Sequence, residues 1–452
     1  MQITFMGAAG TVTGSCYALT SQAGDSILID CGMFQGSPEL DELNFQPFQF
    51  AIENLQGAVL THAHLDHCGR LPLLLKHGFH QPIYMTAPTL DIASISLADS
   101  AKIHASAQEE DKVLYEQKEV DAILERAKVV AYHQTFSLGS FTITMRDAGH
   151  ILGSASLEII DTSATSQLRK IIFSGDLGNT PQSLIQPTEY FPSADTVVME
   201  STYGDRTHAL EDAQTMLEKE VRLIEQSGGV LLIPAFSIER SQELLHAFHH
   251  LKLDKKISAV MPVFFDGPMA TKVNEVFHQY PNLLNDEFRP EILAESGLTF
   301  PGLQVVRKPD ESHQIQEVTG PKVIIAGSGM MTGGRILQHA ANYLPQPSTR
   351  LLFVGYQGEN TLGRQILDGQ KHVTINNRSI TINATISKMS ALSSHADQPR
   401  LLTWLSKIQG VQKVFLTHGE DGPRTQLAGR IQQKLQIANI ALPQLNQLLT
   451  TG

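Results

Sequence analysis

THAHLDHCGR, residues 61–70, puts four side chains of metal-binding type, His62, His64, Asp66 and His67, within six residues. The run follows the apolar GAVL and precedes the apolar LPLLLKH, so it reads as a loop leading from a strand into a helix. In a locally extended loop, residues i and i+2 point the same way. His62 and His64 can therefore share one cation while Asp66 and His67 turn toward another. A chance histidine-rich turn is the alternative, but four donors at this spacing seldom gather without a metal to hold.

Two ions need more donors than four. DAGHILGSAS supplies His150, IIFSGDLGN supplies Asp176 and VFLTHGE supplies His418, each where an apolar run stops. Singly, a strand-end histidine is as readily structural; together the three complete a set. The assignment is His62, His64 and His150 on one ion, Asp66, His67 and His418 on the other, with Asp176 bridging. Imidazole with carboxylate favours zinc, with manganese and iron as the other ions such donors hold. Two cations about 3.5–4 Å apart lower the pKa of a shared water toward about 7 and hold phosphate oxygens for in-line attack, so the reaction class is hydrolysis. Asp30, in LIDCG, ends a strand and is either the acceptor that orients a ligand imidazole or a simple turn residue.

Around this loop the chain alternates. ITFMG, SILIDCG, GAVLTHAH, PIYMTAPT, FTITMRDAGH, KIIFSGDLG and TVVMESTYG read as strands ending in polar turns, and residues 89–128 read as helix. A second alternation runs from 206 to 370: helix 211–226, strand GGVLLIPAF, helix 239–250, then strands SAVMPVFFDG, KVIIAGSGM and RLLFVGYQG, a parallel α/β pattern. Strands around 372–388, a helix near 398–408, the strand KVFLTHGE and a last helix follow. Candidate chemical residues stop at 200 and resume at 395, so the expected organisation is a first domain begun over 1–205, a second inserted over 206–370, and the first resumed over 371–452.

Composition bounds the function. At 452 residues, 42% hydrophobic and 18% charged, the chain is ordinary globular material, and no apolar run reaches the roughly 18–20 residues of a membrane helix. MQITFMGAAG has neither a basic start nor an apolar signal core, which makes the cytoplasm the expected compartment. Cys16, Cys31 and Cys68 form neither a disulfide framework nor a paired CxxC zinc signature. A formal charge of -12 argues against a surface coated in basic side chains, although divalent cations reverse the field in a carboxylate-lined site.

The HxHxDH string with His150, Asp176 and His418 resembles the metallo-β-lactamase superfamily. GAAGTVTGSCYAL, DCGMFQG, ESTYG, GSGMMTGGR, SSHAD and LTHGE extend the likeness across essentially the whole chain to the β-CASP group, whose nucleases include RNase J and the nuclease subunit of the cleavage and polyadenylation specificity factor. The resemblance implies an α/β fold: an αββα sandwich with its site at one edge of the two packed sheets, and an inserted parallel α/β β-CASP domain. It is nearest to compact prokaryotic ribonucleases, and the dimerising tail of RNase J is expected to be missing. It also implies that His418 is a zinc ligand and that His395 is a general acid held by Glu200. Ser394 departs from the group's pattern, where Gly or Ala is common. Protonating a leaving alkoxide by a positioned histidine contributes roughly 10²- to 10⁴-fold, and a histidine so used must keep its nitrogen off the metal. With seven ligands already filling two sites, an eighth donor has no metal to serve. His395, Glu200 and the ligand Asp66 make up the expected catalytic set.

GSGMMTGGR, 327–335, is a glycine-rich turn between a strand and a helix, able to cradle phosphate or simply to turn the chain. The resemblance favours RNA contact by Ser328 and Arg335. Arg206, Arg240 and Arg364 are further phosphate candidates, each equally able to serve a structural ion pair. With aromatic residues at 6%, stacking platforms are scarce and little sequence specificity is expected. The leading expectation is a two-zinc ribonuclease acting on single-stranded RNA, away from membranes, with a homodimer as the assembly the group suggests. The alternatives are a DNA nuclease, a small thioester or lactone hydrolase on the same metal scaffold, and a noncatalytic partner subunit.

Overall fold

The computed structural model describes residues 1–105, 113–165, 170–180, 183–208, 212–389 and 392–451. The chain forms two compact units, one from Met1–Thr207 with His395–Gly452, the other His208–Ser394.

The first unit is built on two seven-stranded sheets. One runs, in spatial order, Gln447–Thr450, Gln2–Phe5, Tyr17–Thr20, Ser26–Ile29, Leu55–Val59, Ile83–Met85 and Ala127–Val129. Its first four strands pair antiparallel and its last four parallel. The other runs Asn439–Ala441, Lys413–Thr417, Thr196–Glu200, Lys170–Phe173, Ala155–Asp161, Phe141–Asp147 and Thr135–Leu138, with the parallel pairs first. Alternate residues of each sheet face the other, as strand periodicity requires. Ile3, Phe5, Ile27 and Ile29 meet Phe141, Ile143, Met145, Leu157, Ile159, Ile171, Phe173 and Phe415 in one buried core.

The opposite face of the second sheet, with Ile172, Val197, Met199, Val414 and Leu416, is covered by Leu401, Leu402, Trp404, Leu405, Leu427 and Ile431 from the helices Gln398–Ser406 and Asp421–Leu435. Beside the first sheet, helices Leu71–Lys76, Ala87–Ala105 and Gln117–Leu124 pack together and against the edge strand Ala127–Val129. The layers are helix, sheet, sheet, helix, the expected αββα sandwich. The stretch expected as one helix over 89–128 is two helices and the start of a strand, with 106–112 outside the described residues.

The second unit holds a six-stranded sheet in the order Leu303–Val305, Val263–Asp266, Lys322–Ala326, Val230–Pro234, Arg350–Phe353 and Thr385–Lys388, parallel throughout. VLLIP, KVIIA and VFFD are buried at every position, as strands covered on both faces must be. Here the structure moves one boundary. Thr385–Lys388 pairs with Arg350–Phe353 inside this sheet, so the chain returns to the first unit at 395 rather than 371. Helices over 268–279 and 309–314 and the strands Asn439–Ala441 and Gln447–Thr450 were not anticipated. No helix among the described residues is long and apolar enough to cross a membrane.

Phe415 packs on Phe5 with ring centroids 5.2 Å apart, joining the two sheets through the core. Phe415→Ala should cost the first unit about 3–5 kcal/mol, read from urea unfolding followed by Trp404, the one tryptophan of the chain, buried in the same unit.

Candidate metal centre

The direction of the strands decides where the donors fall. Ser26–Ile29 and Leu55–Val59 run parallel, and their C-terminal ends carry Asp30 and the 61–70 loop. In the facing sheet Lys170–Phe173, Thr196–Glu200 and Lys413–Thr417 run parallel, and Phe141–Asp147, two antiparallel steps away, shares their direction. Asp176, Glu200, His418 and His150 therefore lie at or just beyond the same edge, where open α/β sheets commonly place their ligands.

The structure brings all seven expected ligands together. Donor atoms of His62, His64, His150 and Asp176 lie within 4.8 Å of one another, as do those of Asp66, His67 and His418. His62 Nε2 and His150 Nε2 approach His64 Nδ1 at 3.1 and 3.2 Å. Asp176 Oδ2 is 3.5 Å from His62, 3.6 Å from His150 and 3.3 Å from His67 Nε2, while its Oδ1 is 3.6 Å from His418. His418 Nε2 is 3.4 Å from Asp66. His67 Nε2 and Asp176 Oδ1 are buried without a hydrogen-bond partner among the described residues. Buried polar atoms left unsatisfied are costly, and convergent lone pairs of nitrogen and oxygen are what a cation satisfies. The residues present fit a metal-binding centre.

Electrostatics divides the cluster: at His67 burial opposes the charged form, but Asp176 and Asp30 outweigh it and hold the pKa well above the usual imidazole range. Burial drives His62 well below the usual imidazole range, with the charge of His67 adding to it, and pushes His64 down to about 4. Both thus offer neutral nitrogens. Asp176 is held ionised: burial opposes this, but His418, His67 and His62 outweigh it.

Local backbone fixes the loop. His64 is extended, and a short helix Leu65–Cys68 turns Asp66 and His67 away. Asp30 accepts from Thr61 N at 2.8 Å and Thr61 Oγ1 at 2.9 Å, and lies 2.8 Å from His67 Nδ1, which leaves His67 Nε2 toward Asp176. Cys31 N donates to His67 O and Met33 N to Leu65 O, both at 2.8 Å. Between them Gly32 lies so close that a Cβ there would stand 1.6 Å from Asp66 O. Asp30 and His418 adopt φ of +56° and +46°, a region non-glycine residues seldom occupy except at functional positions.

His395 stands beside this cluster. Its Nδ1 is 3.3 Å from Glu200 Oε1 and 3.9 Å from Asp176 Oδ2. Glu200, buried, also accepts from Leu177 N at 2.6 Å and Thr202 N at 3.3 Å. Burial favours the neutral imidazole of His395, but Glu200, Asp176 and Asp66 outweigh it and its pKa is raised. With Asp176 and His418, His395 also lies within ligand range, so distance alone leaves both roles open to it. Sequence reasoning missed Thr202, whose Oγ1 is 3.0 Å from His418 Nδ1, and left the orienting part of Asp30 undecided. The ESTYG motif was the one signal for Thr202.

The expected substrate residues fare differently. Arg240 is 2% exposed, bound to Glu243 and, at 3.0 Å, to Ser394 Oγ, so it is an internal tie rather than a presented cation. The same contact engages the serine where Gly or Ala was expected. Arg335 is bound to Asp266 and to the carbonyls of Arg307 at 2.8 Å and Val306 at 3.3 Å, which holds the 327–335 turn in place. Arg206 and Arg364 are 42% and 40% exposed, paired with Asp205 and Asp368 nearby in the chain. Ser328 Oγ is 3.3 Å from Thr332 Oγ1 within the turn itself.

Three family descriptions match in succession: a metallo-beta-lactamase superfamily domain over residues 19–201, a Beta-Casp domain over 241–366, and a Zn-dependent metallo-hydrolase RNA specificity domain over 379–443. Ribonuclease TTHA0252 of Thermus thermophilus is 35% identical over 93% of this chain and 94% of its own. Transcription termination factor FttA of Methanosarcina mazei is 31% identical over 98% of this chain and 71% of its own. A crystal structure of a protein of unknown function from Enterococcus faecalis V583 shares the fold at a TM-score of 0.53, with 13% identity over 99% of both chains.

Gly32→Ala should push the 64–67 turn outward, lowering the metal retained on purification, measured by inductively coupled plasma mass spectrometry, and costing about 3 kcal/mol. Asp266 gives a pH test in the second unit. Burial opposes its charge, but His339, Ser312 and Arg335 outweigh that and lower its pKa. Its stabilising effect is therefore complete above the unfolded value of about 3.9 and is lost as pH falls from there through the folded pKa. The melting difference between wild type and Asp266→Asn should accordingly shrink below about pH 4.

Proposed function

Because this chain belongs to the β-CASP group of the metallo-β-lactamase superfamily, a group of metal-dependent hydrolases, we propose that it is a two-zinc ribonuclease cleaving phosphodiester bonds of single-stranded RNA. The observation that carries the reading is the His395–Glu200 pair, set 3.9 Å from the central Asp176 of a seven-donor cluster. A thioester hydrolase has less need of such an acid, because a thiolate departs without a proton whereas the alkoxide of a phosphodiester demands one. The names of the relatives, a ribonuclease and transcription termination factors, favour RNA as the polymer.

In this reading His62, His64 and His150 would hold one zinc and Asp66, His67 and His418 the other, with Asp176 placed between the two sets. When bound, the ions lower the pKa of a shared water toward about 7 and offset phosphate charge. Asp30 and Thr202 hold the imidazoles of His67 and His418 in place. Glu200 engages His395 Nδ1, which leaves Nε2 to deliver the proton to the departing oxygen. Ser328, Arg206 and Arg364 contact RNA phosphates, while Arg240 and Arg335 keep their scaffolding ties. Phosphate contacts of this kind give affinity with little choice of sequence. Three buried free cysteines suit a cytoplasmic setting.

Incubation with labelled single-stranded RNA and DNA, with and without chelator, tests polymer and metal together: chelator-sensitive cleavage of RNA is expected, and intact RNA beside cleaved DNA or thioester would overturn the reading. His395→Ala should keep near-wild-type zinc while turnover falls roughly 10²- to 10⁴-fold; substantial zinc loss would make His395 a ligand.

A further inference from the structure

The second unit carries another convergence of donors, sharing no residue with the first. Helix Arg240–Leu253 reads RSQELLHAFHHLKL, and His246 and His250, four residues apart, fall on one face of it. The short helix Arg289–Leu293 brings Glu291 against them. His246 Nε2 and His250 Nε2 are 3.0 Å apart, and each is 3.1 Å from a different oxygen of Glu291.

No arrangement of two neutral imidazoles and a carboxylate satisfies all three contacts by hydrogen bonds. A neutral imidazole nitrogen carries either one proton or one lone pair. If one Nε2 donates to the other, neither has a proton left for the carboxylate; if both donate to the carboxylate, two N–H groups face each other at 3.0 Å. Glu291 Oε2 is in fact buried and accepts no hydrogen bond among the described residues. Two protonated imidazoles do not resolve it, since they would set two cationic N–H groups against each other at 3.0 Å.

We propose that His246, His250 and Glu291 form a zinc site in this unit. Donors bound to one zinc at roughly 2.0–2.1 Å lie about 3.3 Å apart at a tetrahedral angle, close to the three separations here. Two imidazoles at i and i+4 with one carboxylate is a zinc donor set, and zinc takes it ahead of manganese or iron. The side chains are 13%, 26% and 23% exposed, open enough to admit the ion and a water as fourth ligand. The ring of Phe288, fully buried, stands edge-on to His246 at 4.8 Å and provides an apolar floor. The ion would tie the helix carrying Arg240 to the segment around Glu291.

The test uses the full chain with ZnCl2 as probe. Anomalous difference maps on either side of the zinc absorption edge should show a peak between His246, His250 and Glu291, absent in His250→Gln. By equilibrium dialysis at one fixed free-zinc concentration, His250→Gln and Glu291→Gln should each bind one zinc fewer per chain than wild type. Unchanged far-UV circular dichroism identifies a folded variant, and two variants guard against one failing to fold. Wild-type crystals with no peak at this position, or folded variants with wild-type zinc content, would overturn the site.

Discussion

One carboxylate organises the first unit. Asp176 lies within 3.9 Å of five imidazoles, those of His62, His67, His150, His395 and His418, and is itself buried. A charge so placed is costly unless paired, and removing one partner of a buried pair typically costs about 3–5 kcal/mol. The surrounding fold meets that demand from both sheets. The loop after Leu55–Val59 contributes four of the seven donors, three histidines and an aspartate, and the facing sheet contributes His150, Asp176 and His418 from strands that all end at one edge. The positive φ of Asp30 and His418 and the missing side chain at Gly32 are local concessions to this arrangement.

The charge balance follows from the same cluster. Asp30, Asp66, Asp176 and Glu200 bring four carboxylates into or against the site, in a chain whose formal charge is already -12. On the two-zinc reading the ions carry four positive charges, which offset the four carboxylates before an anionic polymer arrives. A polyanion can then be met without a basic coat, the field being local rather than global.

The HxHxDH loop and the strand ends were legible because the signals are local: donors in a short span, apolar runs halted by polar residues. What escaped depends on which distant segment a residue meets. Residues 385–388 read as a strand, but no periodicity says that they join Arg350–Phe353. Arg240 reads as a free cation until Glu243 and Ser394 are seen around it. Asp30 could be a turn residue or an orienting acceptor until Thr61 and His67 settle on it. His246 and His250 drew no notice because their carboxylate lies on a different helix, a separation that sequence spacing does not bridge.

The strand Gln447–Thr450 pairs with Gln2–Phe5, and Thr451 O accepts from Thr196 Oγ1 at 2.9 Å. On the ribosome, Gln2–Phe5 emerges long before Gln447–Thr450, the strand that covers its sheet edge. His395 and His418 emerge after the whole of the second unit, which can fold meanwhile as a body of its own. The cluster is thus completed only after the second unit has been made, and a chain that stops before His395 lacks both the proposed acid and a proposed ligand. On the two-zinc reading, a chain emerging beside its own messenger RNA is short of the residues that would cleave it until that point is passed.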